Sequence, residues 1–199
     1  LEDVIPPTDE VYDNLVRDLA ADLIVPVFFG SAENENGIIR LLKALRHEAP
    51  SVDVTAARLG LPAGEPLVQV FRTQWAGQSG KLSYARVWRG ALRDGATLGR
   101  DRVGGIHALM GRRSTTRPQA QPGEVVALSR LAEARTGDLL SPAGRLVADW
   151  PAPPPAVYAL AIRAERHADE VKLAAALQRI AEEDPSVSAA HNAETGEMI

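Results

Sequence analysis

The sequence has 199 residues, of which 45% are hydrophobic, an ordinary share for a protein that buries a core. It contains no cysteine, which excludes disulfides and thiolate zinc sites and fits a reducing, cytoplasmic location, and no apolar run approaches the roughly 18 residues of a membrane helix. The net charge of −4 conceals a basic middle, since 13 Lys and Arg face 6 Asp and Glu between Glu65 and Leu146. That balance predicts either a surface that meets a polyanion or an unevenly charged solvated surface.

The first fifty residues have the pattern of an α/β unit. A helix is predicted at Thr8–Ala21, and the apolar run Leu23–Phe29 is typical of a strand buried on both faces. The loop Gly30-Ser31-Ala32 follows, and helical periodicity resumes at Ile38–His47. Because one strand cannot form a parallel sheet alone, its partners are expected upstream of Leu1.

Residues 65–148 have the pattern of a small β-barrel or sandwich, because short alternating runs follow one another without helices between them. Segments of Pro and Gly without periodicity predict linkers on both sides, at 51–64 and 149–155. The strands are predicted at Val68–Gln74, Leu82–Arg89, Arg102–Leu109, Glu124–Leu128 and Asp138–Leu140.

Residues 156–199 have the pattern of the first half of a ferredoxin-like unit. A strand is predicted at Val157–Ile162, a helix at Asp169–Glu183 and a second strand at Val187–Ala190, before a turn at Glu194-Thr195-Gly196. The acidic end of the helix, Glu182-Glu183-Asp184, is expected to be solvated. Its buried face is predicted to consist of Val171, Leu173, Leu177 and Ile180.

Four motifs in chain order resemble elongation factor G. Pro26–Ala32, followed by Asn36-Gly37-Ile38, resembles the end of that family's GTP-binding domain. Gly80–Val87 and Gly123–Ala127 are similar to its second-domain barrel, and Leu177–Ser186 is similar to its third domain. The resemblance spans nearly the whole chain. It implies a multi-domain fold with a mainly β central barrel of the translation-factor type, flanked by an α/β remnant of the GTPase domain (1–50) and a partial ferredoxin-like α+β domain (156–199).

The resemblance assigns Ser31 and Ala32 to the fifth guanine-nucleotide motif, in which backbone N–H groups meet the guanine carbonyl oxygen. An ordinary strand-to-helix turn is the alternative. The one Gly-Lys pair, Gly80-Lys81, lacks the spacing of a phosphate-binding loop, and no Asn-Lys-x-Asp motif is present. We therefore expect GTP and Mg to bind the longer parent protein, and this chain to hold no catalytic residue, cofactor or metal and to be inactive as a GTPase.

The resemblance further implies that the barrel docks on small-subunit ribosomal RNA, mainly through phosphates, with no DNA or membrane partner. Trp75 and Trp88 are possible stacking partners, although core packing is favoured for Trp88. Simple solvation is the alternative for the arginines of the polar loop at 112–117. The candidate cations are Arg86, Arg89, Arg93, Arg112, Arg113 and Arg117.

Two other functions stay open beside a GTP-driven step of elongation such as translocation. One is a sister factor acting in peptide release or ribosome protection, since Phe28-Phe29-Gly30 is reminiscent of the class-II release factor. The other is a stand-alone RNA-binding barrel, against which the apolar run 23–29 counts. Gly105–Gly111 differs from the housekeeping translocase and suggests the bacterial elongation-factor-G-like paralogue.

Overall fold

The computed structural model describes residues 7–77, 80–111, 113–146, 151, 154–192 and 197–198. The chain divides into two compact units, one extending to Leu59 and one beginning at Gly60. The first unit contains three helices, α1 (Thr8–Ala20), α2 (Ile38–His47) and α3 (Val52–Arg58). The second contains the strands and one long helix.

Helix α3 lies within the segment 51–64 that the sequence predicted as a linker, where no helix was expected. Ser51 begins the helix, because its side-chain oxygen accepts a hydrogen bond from the N–H of Val54 at 3.4 Å. Ala56 is fully buried. Seven residues are too few to show a helical period, so the capping serine was the only signal in the sequence.

The apolar run Leu23–Phe29 forms no strand, which corrects the prediction of a strand buried on both faces. Val25, Val27 and Phe29 are 86%, 70% and 90% exposed. A strand needs a neighbour for its backbone hydrogen bonds, and no described residue pairs with this segment. The segment therefore exposes the apolar side chains that the sequence pattern assigned to a core.

The second unit is built on an antiparallel sheet of seven strands in the order β11-β10-β1-β2-β9-β6-β7. Three short two-stranded ribbons accompany it. The strands are β1 (Leu67–Trp75), β2 (Lys81–Arg89), β3 (Leu92–Arg93), β4 (Thr97–Leu98), β5 (Asp101–Arg102), β6 (Ile106–Met110), β7 (Arg113–Arg117), β8 (Gln119–Ala120), β9 (Val125–Ser129), β10 (Leu139–Ser141), β11 (Gly144–Leu146), β12 (His191–Asn192) and β13 (Glu197–Met198).

Two of the short ribbons, β3–β8 and β4–β5, lie next to the two ends of the sheet. Strand β8 follows directly on the edge strand β7 and pairs with β3. From the other end, the N–H of Gly99 after β4 donates to Ser141 of β10 at 2.8 Å. The sheet therefore curls around a core of small and branched apolar side chains, which include Val68, Val87 and Leu128.

The described part of residues 156–199 is less regular than the sequence predicted. Its helix α4 (Glu170–Glu183) is present, but Val171 and Ile180 are 80% and 50% exposed, so the predicted buried face is wrong for these two residues. Val157–Ile162 and Val187–Ala190 form no strands; Ile162 makes a single bridge to Met198. The only strand pair described here is β12 with β13, and the predicted turn at 194–196 lies outside the described residues.

Two of these differences share a cause. No described residue covers the run Leu23–Phe29 or the outer face of α4 at Val171 and Ile180, so the predicted burial does not occur there. The observed fold class, a mainly β multi-domain arrangement with helical flanks, confirms the predicted one.

Candidate functional site

The loop that contains Ser31 and Ala32 is a tight turn between α1 and α2. The N–H of Ser31 donates to the carbonyl of Asn36 at 3.0 Å and closes the loop. Gly37 has φ of +77° and begins α2, and a Cβ at this position would lie 2.5 Å from the carbonyl oxygen of Phe29. The loop therefore requires glycine at that position.

The two residues predicted to contact guanine differ in their backbone hydrogen bonds. The N–H of Ser31 is already engaged within the loop, whereas the N–H of Ala32 donates to no acceptor in the described part of the chain. Ala32 is also exposed. Of the two, Ala32 is the residue whose backbone donor is open to a ligand.

The segment predicted as a polar loop at 112–117 is in fact strand β7 from Arg113 to Arg117, paired with β6. All five of its residues are exposed. Because β7 is the last strand of the sheet, one edge of its backbone has no neighbouring strand among the described residues. Polar residues on both faces hide the alternation that identifies a half-buried strand. Arg112 lies outside the described residues.

Three of the predicted RNA-contacting cations are exposed. Arg93 pairs with Gln119 just beyond β7, near Arg117, while Arg113 lies at the other end of the strand. Arg117 forms an ion pair of 3.0 Å with Glu124. Arg113 and Arg117 are four positions apart along the strand, or about 13 Å, a span of roughly two phosphates along a nucleic-acid strand.

Arg86 and Arg89 do not join this exposed set. Arg86 is half-buried on β2, its guanidinium lies 4.7 Å from the ring of Trp88, and its buried Nε has no hydrogen-bond partner. Arg89 donates to the carbonyl of Pro62 at 3.2 Å. Both guanidinium groups are therefore engaged within this chain, Arg86 with the barrel and Arg89 with the segment that precedes it.

The two tryptophans predicted as possible stacking partners both make contacts within the protein. Trp88 is 5% exposed and donates through its indole nitrogen to Gln69 at 3.0 Å, which agrees with the favoured interpretation of core packing. Trp75 is half-buried against α4, where the guanidinium of Arg179 lies 4.9 Å from its ring. Neither ring is free to stack on a base in this arrangement.

The contact between β1–β2 and the end of α4 was not found from the sequence. Glu182 accepts a hydrogen bond from the indole nitrogen of Trp75 at 3.2 Å and lies 3.3 Å from the ammonium of Lys81. Glu183 accepts one from the backbone N–H of Trp75. The acidic helix end was predicted to be solvated, but two of its carboxylates contact the barrel. We call this set of contacts the barrel–helix junction.

Other site chemistry is sparse within the residues that the structure describes. They contain no group of three His, Cys, Asp or Glu side chains arranged to hold a metal ion. No helix among them is long and apolar enough to cross a bilayer. Arg102 and Arg130, which the sequence did not single out, line a cleft of the barrel.

Comparison with known proteins supports the resemblance. Residues 153–199 match the family model described as elongation factor G, domain III. An elongation factor G-like protein of Synechocystis sp. is 44% identical over 202 residues, covering 100% of this chain and 30% of the relative. The chain is thus similar to one stretch of the elongation factor G-like proteins.

Two more distant relatives match over nearly the same part of this chain. Elongation factor G of Pseudothermotoga lettingae is 29% identical over 97% of this chain, and elongation factor G 2 of Syntrophomonas wolfei is 30% identical over 96% of it. A crystal structure of a protein from Thermus thermophilus matches with a TM-score of 0.76 at 26% identity, covering 96% of this chain and 29% of that one. The chain thus spans about 30% of the length of the curated relatives it matches.

Proposed function

We propose that this chain is part of a longer, ribosome-associated translational GTPase of the elongation factor G type, and that its barrel docks on small-subunit ribosomal RNA. The observation that carries the proposal is the 44% identity to an elongation factor G-like protein over the whole chain. A cytoplasmic location and a GTP-driven step of elongation are parts of the same proposal.

The docking surface in this proposal is the outer side of β7 with its neighbouring ribbon. Arg93, Arg113 and Arg117 present exposed guanidinium groups there, and Thr115, which shares a strand face with Arg113 and Arg117, adds a hydroxyl between them. Guanidinium groups bind phosphate oxygens in a bidentate manner, so the contacts would follow the shape of the RNA backbone rather than its sequence.

The loop at 30–37 has a separate role in the proposal. The open N–H of Ala32 would contact the guanine carbonyl oxygen, and Ser31 would hold the loop closed through Asn36. The phosphates and Mg would bind to other residues of the longer protein, since this sequence has no phosphate-binding loop. We accordingly expect no GTP binding by the 199-residue chain in isothermal titration calorimetry, and binding at micromolar concentration would contradict this.

The docking proposal is tested by co-sedimentation of the chain with isolated small ribosomal subunits at several salt concentrations. Arg113→Glu is expected to weaken binding about tenfold and to reduce the salt slope by about one. Arg117→Gln is expected to have a smaller effect, because Glu124 already neutralises part of the Arg117 charge. Arg135→Gln, which removes another exposed arginine of the same barrel, is the control.

Equal affinity of the wild type and the Arg113→Glu variant at low salt would contradict the proposed surface. Failure of the wild-type chain to bind small subunits at low salt would contradict the proposed partner.

A second candidate is a specialised paralogue instead of the housekeeping translocase. It is favoured by the 44% identity to an elongation factor G-like protein, against 29% and 30% to two elongation factors G. The longer protein would then hydrolyse GTP on ribosomes but support little movement of tRNA in a translocation assay. Full translocation activity would favour the housekeeping role.

A further inference from the structure

Arg130 has a backbone conformation that is unusual for its residue type. It follows β9 with φ of +63°, in the left-handed region that favours glycine. Such a conformation persists in a protein only when the surroundings hold it, and it is enriched at binding sites. Hydrogen bonds on both sides of Gly104-Gly105 supply that restraint here: Gly104 donates to the carbonyl of Ser129, and Ser129 donates back to Gly105.

The side chain of Arg130 lies across Gly104. A Cβ at Gly104 would fall 2.2 Å from Cδ, 2.7 Å from Cγ and 2.9 Å from Cβ of Arg130. Gly104 has no positive φ, so its backbone conformation would allow other residues. What requires glycine at this position is the space that the arginine stem occupies.

A second arginine, Arg102, also lies against a glycine. The Nε of Arg102 donates to the carbonyl of Gly95 at 2.9 Å, and its Nη2 would lie 3.3 Å from a Cβ built on Gly95. Two glycines thus provide the surfaces on which two arginine side chains lie. The turn at Gly95 is itself fixed to the strand end by its N–H, which donates to Val103 at 3.0 Å.

Arg102 and Arg130 line one cleft of about 390 Å³, whose wall is completed by Asp94, Gly95, Val103 and Gly104. Asp94 is the one acid among these lining residues, and its carboxylate accepts the N–H of Gly95 at 2.9 Å. The guanidinium of Arg130 meets no acceptor in the described part of the chain, and that of Arg102 uses only Nε. The cleft therefore presents several unpaired, positively charged donors.

We propose that the cleft between Arg102 and Arg130 binds a phosphodiester of structured RNA. Its volume accommodates one sugar-phosphate unit, and the two arginines that line it can each donate to an oxygen of a backbone phosphate. The inference rests on the proposed docking of the barrel on ribosomal RNA and adds a second contact point to the β7 surface. It also gives a reason for an arginine, rather than glycine, at a left-handed position.

The test uses the 199-residue chain and an RNA duplex of about 16 base pairs, a length that spans more than one helical turn. Affinity is measured by fluorescence anisotropy at several salt concentrations, and the Nε–Hε signals of Arg102 and Arg130 are followed by NMR. Arg130→Gly is expected to weaken binding about tenfold and to lower the salt slope by about one. Its melting temperature should not fall, because glycine adopts φ of +63° without strain.

Gly104→Ala is the sharper variant. It keeps every charge but places a methyl group where the Arg130 stem lies, so binding should weaken several-fold while the salt slope stays near the wild-type value. Arg135→Gln should change affinity less than twofold. The cleft is rejected if Arg130→Gly behaves like Arg135→Gln, if Gly104→Ala binds as the wild type does, or if the Arg130 signal does not move on addition of RNA.

Two further comparisons distinguish a failure of this inference from a failure of the proposed function. If small subunits bind the wild type and Arg130→Gly equally while Arg113→Glu weakens binding, the cleft is wrong and the docking surface stands. If the duplex moves the Arg130 signal but small subunits do not bind, the cleft stands and the proposed partner is wrong. A response to millimolar inorganic phosphate without any response to the duplex would identify a free-phosphate site and overturn the assignment to RNA.

Discussion

Replacement of Glu182 by glutamine should loosen the barrel–helix junction without unfolding either side. The amide oxygen of glutamine can still accept the hydrogen bond from the Trp75 indole, so the variant removes chiefly the attraction to Lys81, at 3.3 Å. Lys81 keeps a second acceptor, the carbonyl of Ala132 at 2.9 Å, which softens the loss.

The size of this effect follows from burial. The side chain of Lys81 is 8% exposed and that of Glu182 is 27% exposed, so the pair is shielded more than a surface ion pair but retains contact with solvent. We expect about 1 kcal/mol of coupling, at the upper end of exposed pairs. This corresponds to a fall of about fivefold in the ratio of docked to undocked helix.

Pairs of spin labels provide the assay. Because the sequence has no cysteine, Ser114→Cys on β7 and Ala175→Cys on α4 can be labelled without removing native thiols. The distance distribution between the labels should broaden in Glu182→Gln, and the double variant with Lys81→Met should broaden it little further. Glu170→Gln, on the same helix but outside the junction, is the control.

An unchanged, narrow distribution in Glu182→Gln combined with Glu183→Gln would refute the reasoning. It would mean that the packing of α4 on β1, not its acidic end, holds the helix.

Three further predictions concern single groups. Glu170 raises the pKa of His167 through a hydrogen bond and its charge, so this contribution to stability is present below pH 6.5 and is lost as the pH rises through the raised pKa; NMR titration of Glu170→Gln should show the His167 pKa falling. The hydroxyl and N–H of Ser186 lower the pKa of Asp184, so the contribution is present above pH 3.8 and is lost as the pH falls through the lowered pKa; Ser186→Ala should raise it in a carboxyl-carbon titration. Gly37→Ala should cost the first unit about 2 kcal/mol in thermal unfolding, because the left-handed conformation and a close carbonyl oxygen both oppose a Cβ.

The elements that were predictable from the sequence are those with a complete local pattern. Helices α1 and α2 and strands β1 and β2 begin and end within two residues of their predicted limits. The apolar periodicity of each element and the turn residues that bound it are both found in the local sequence. Leu23–Phe29 shows the limit of such reasoning, because burial of an apolar run depends on a neighbour that the run does not encode.

The candidate site was predictable where charge alone decides it. Arg113 and Arg117 were identified as exposed cations, although in a loop rather than on a strand. The barrel–helix junction was not predictable, because Trp75 and Glu182 are 107 residues apart and neither belongs to a local motif. Nor was the conformation of Arg130, since nothing in its residue type indicates a positive φ.

The open sheet edge at β7 affects whether identical copies of this protein associate. A strand with unpaired backbone groups invites another strand to continue the sheet, and natural proteins counter this with charge. Two such edges brought together antiparallel would set Arg113 and Arg117 of one copy against those of the other and repel. The cations that suit β7 to a polyanion thus also keep identical chains apart, so neutralising them should promote aggregation as well as weaken RNA binding.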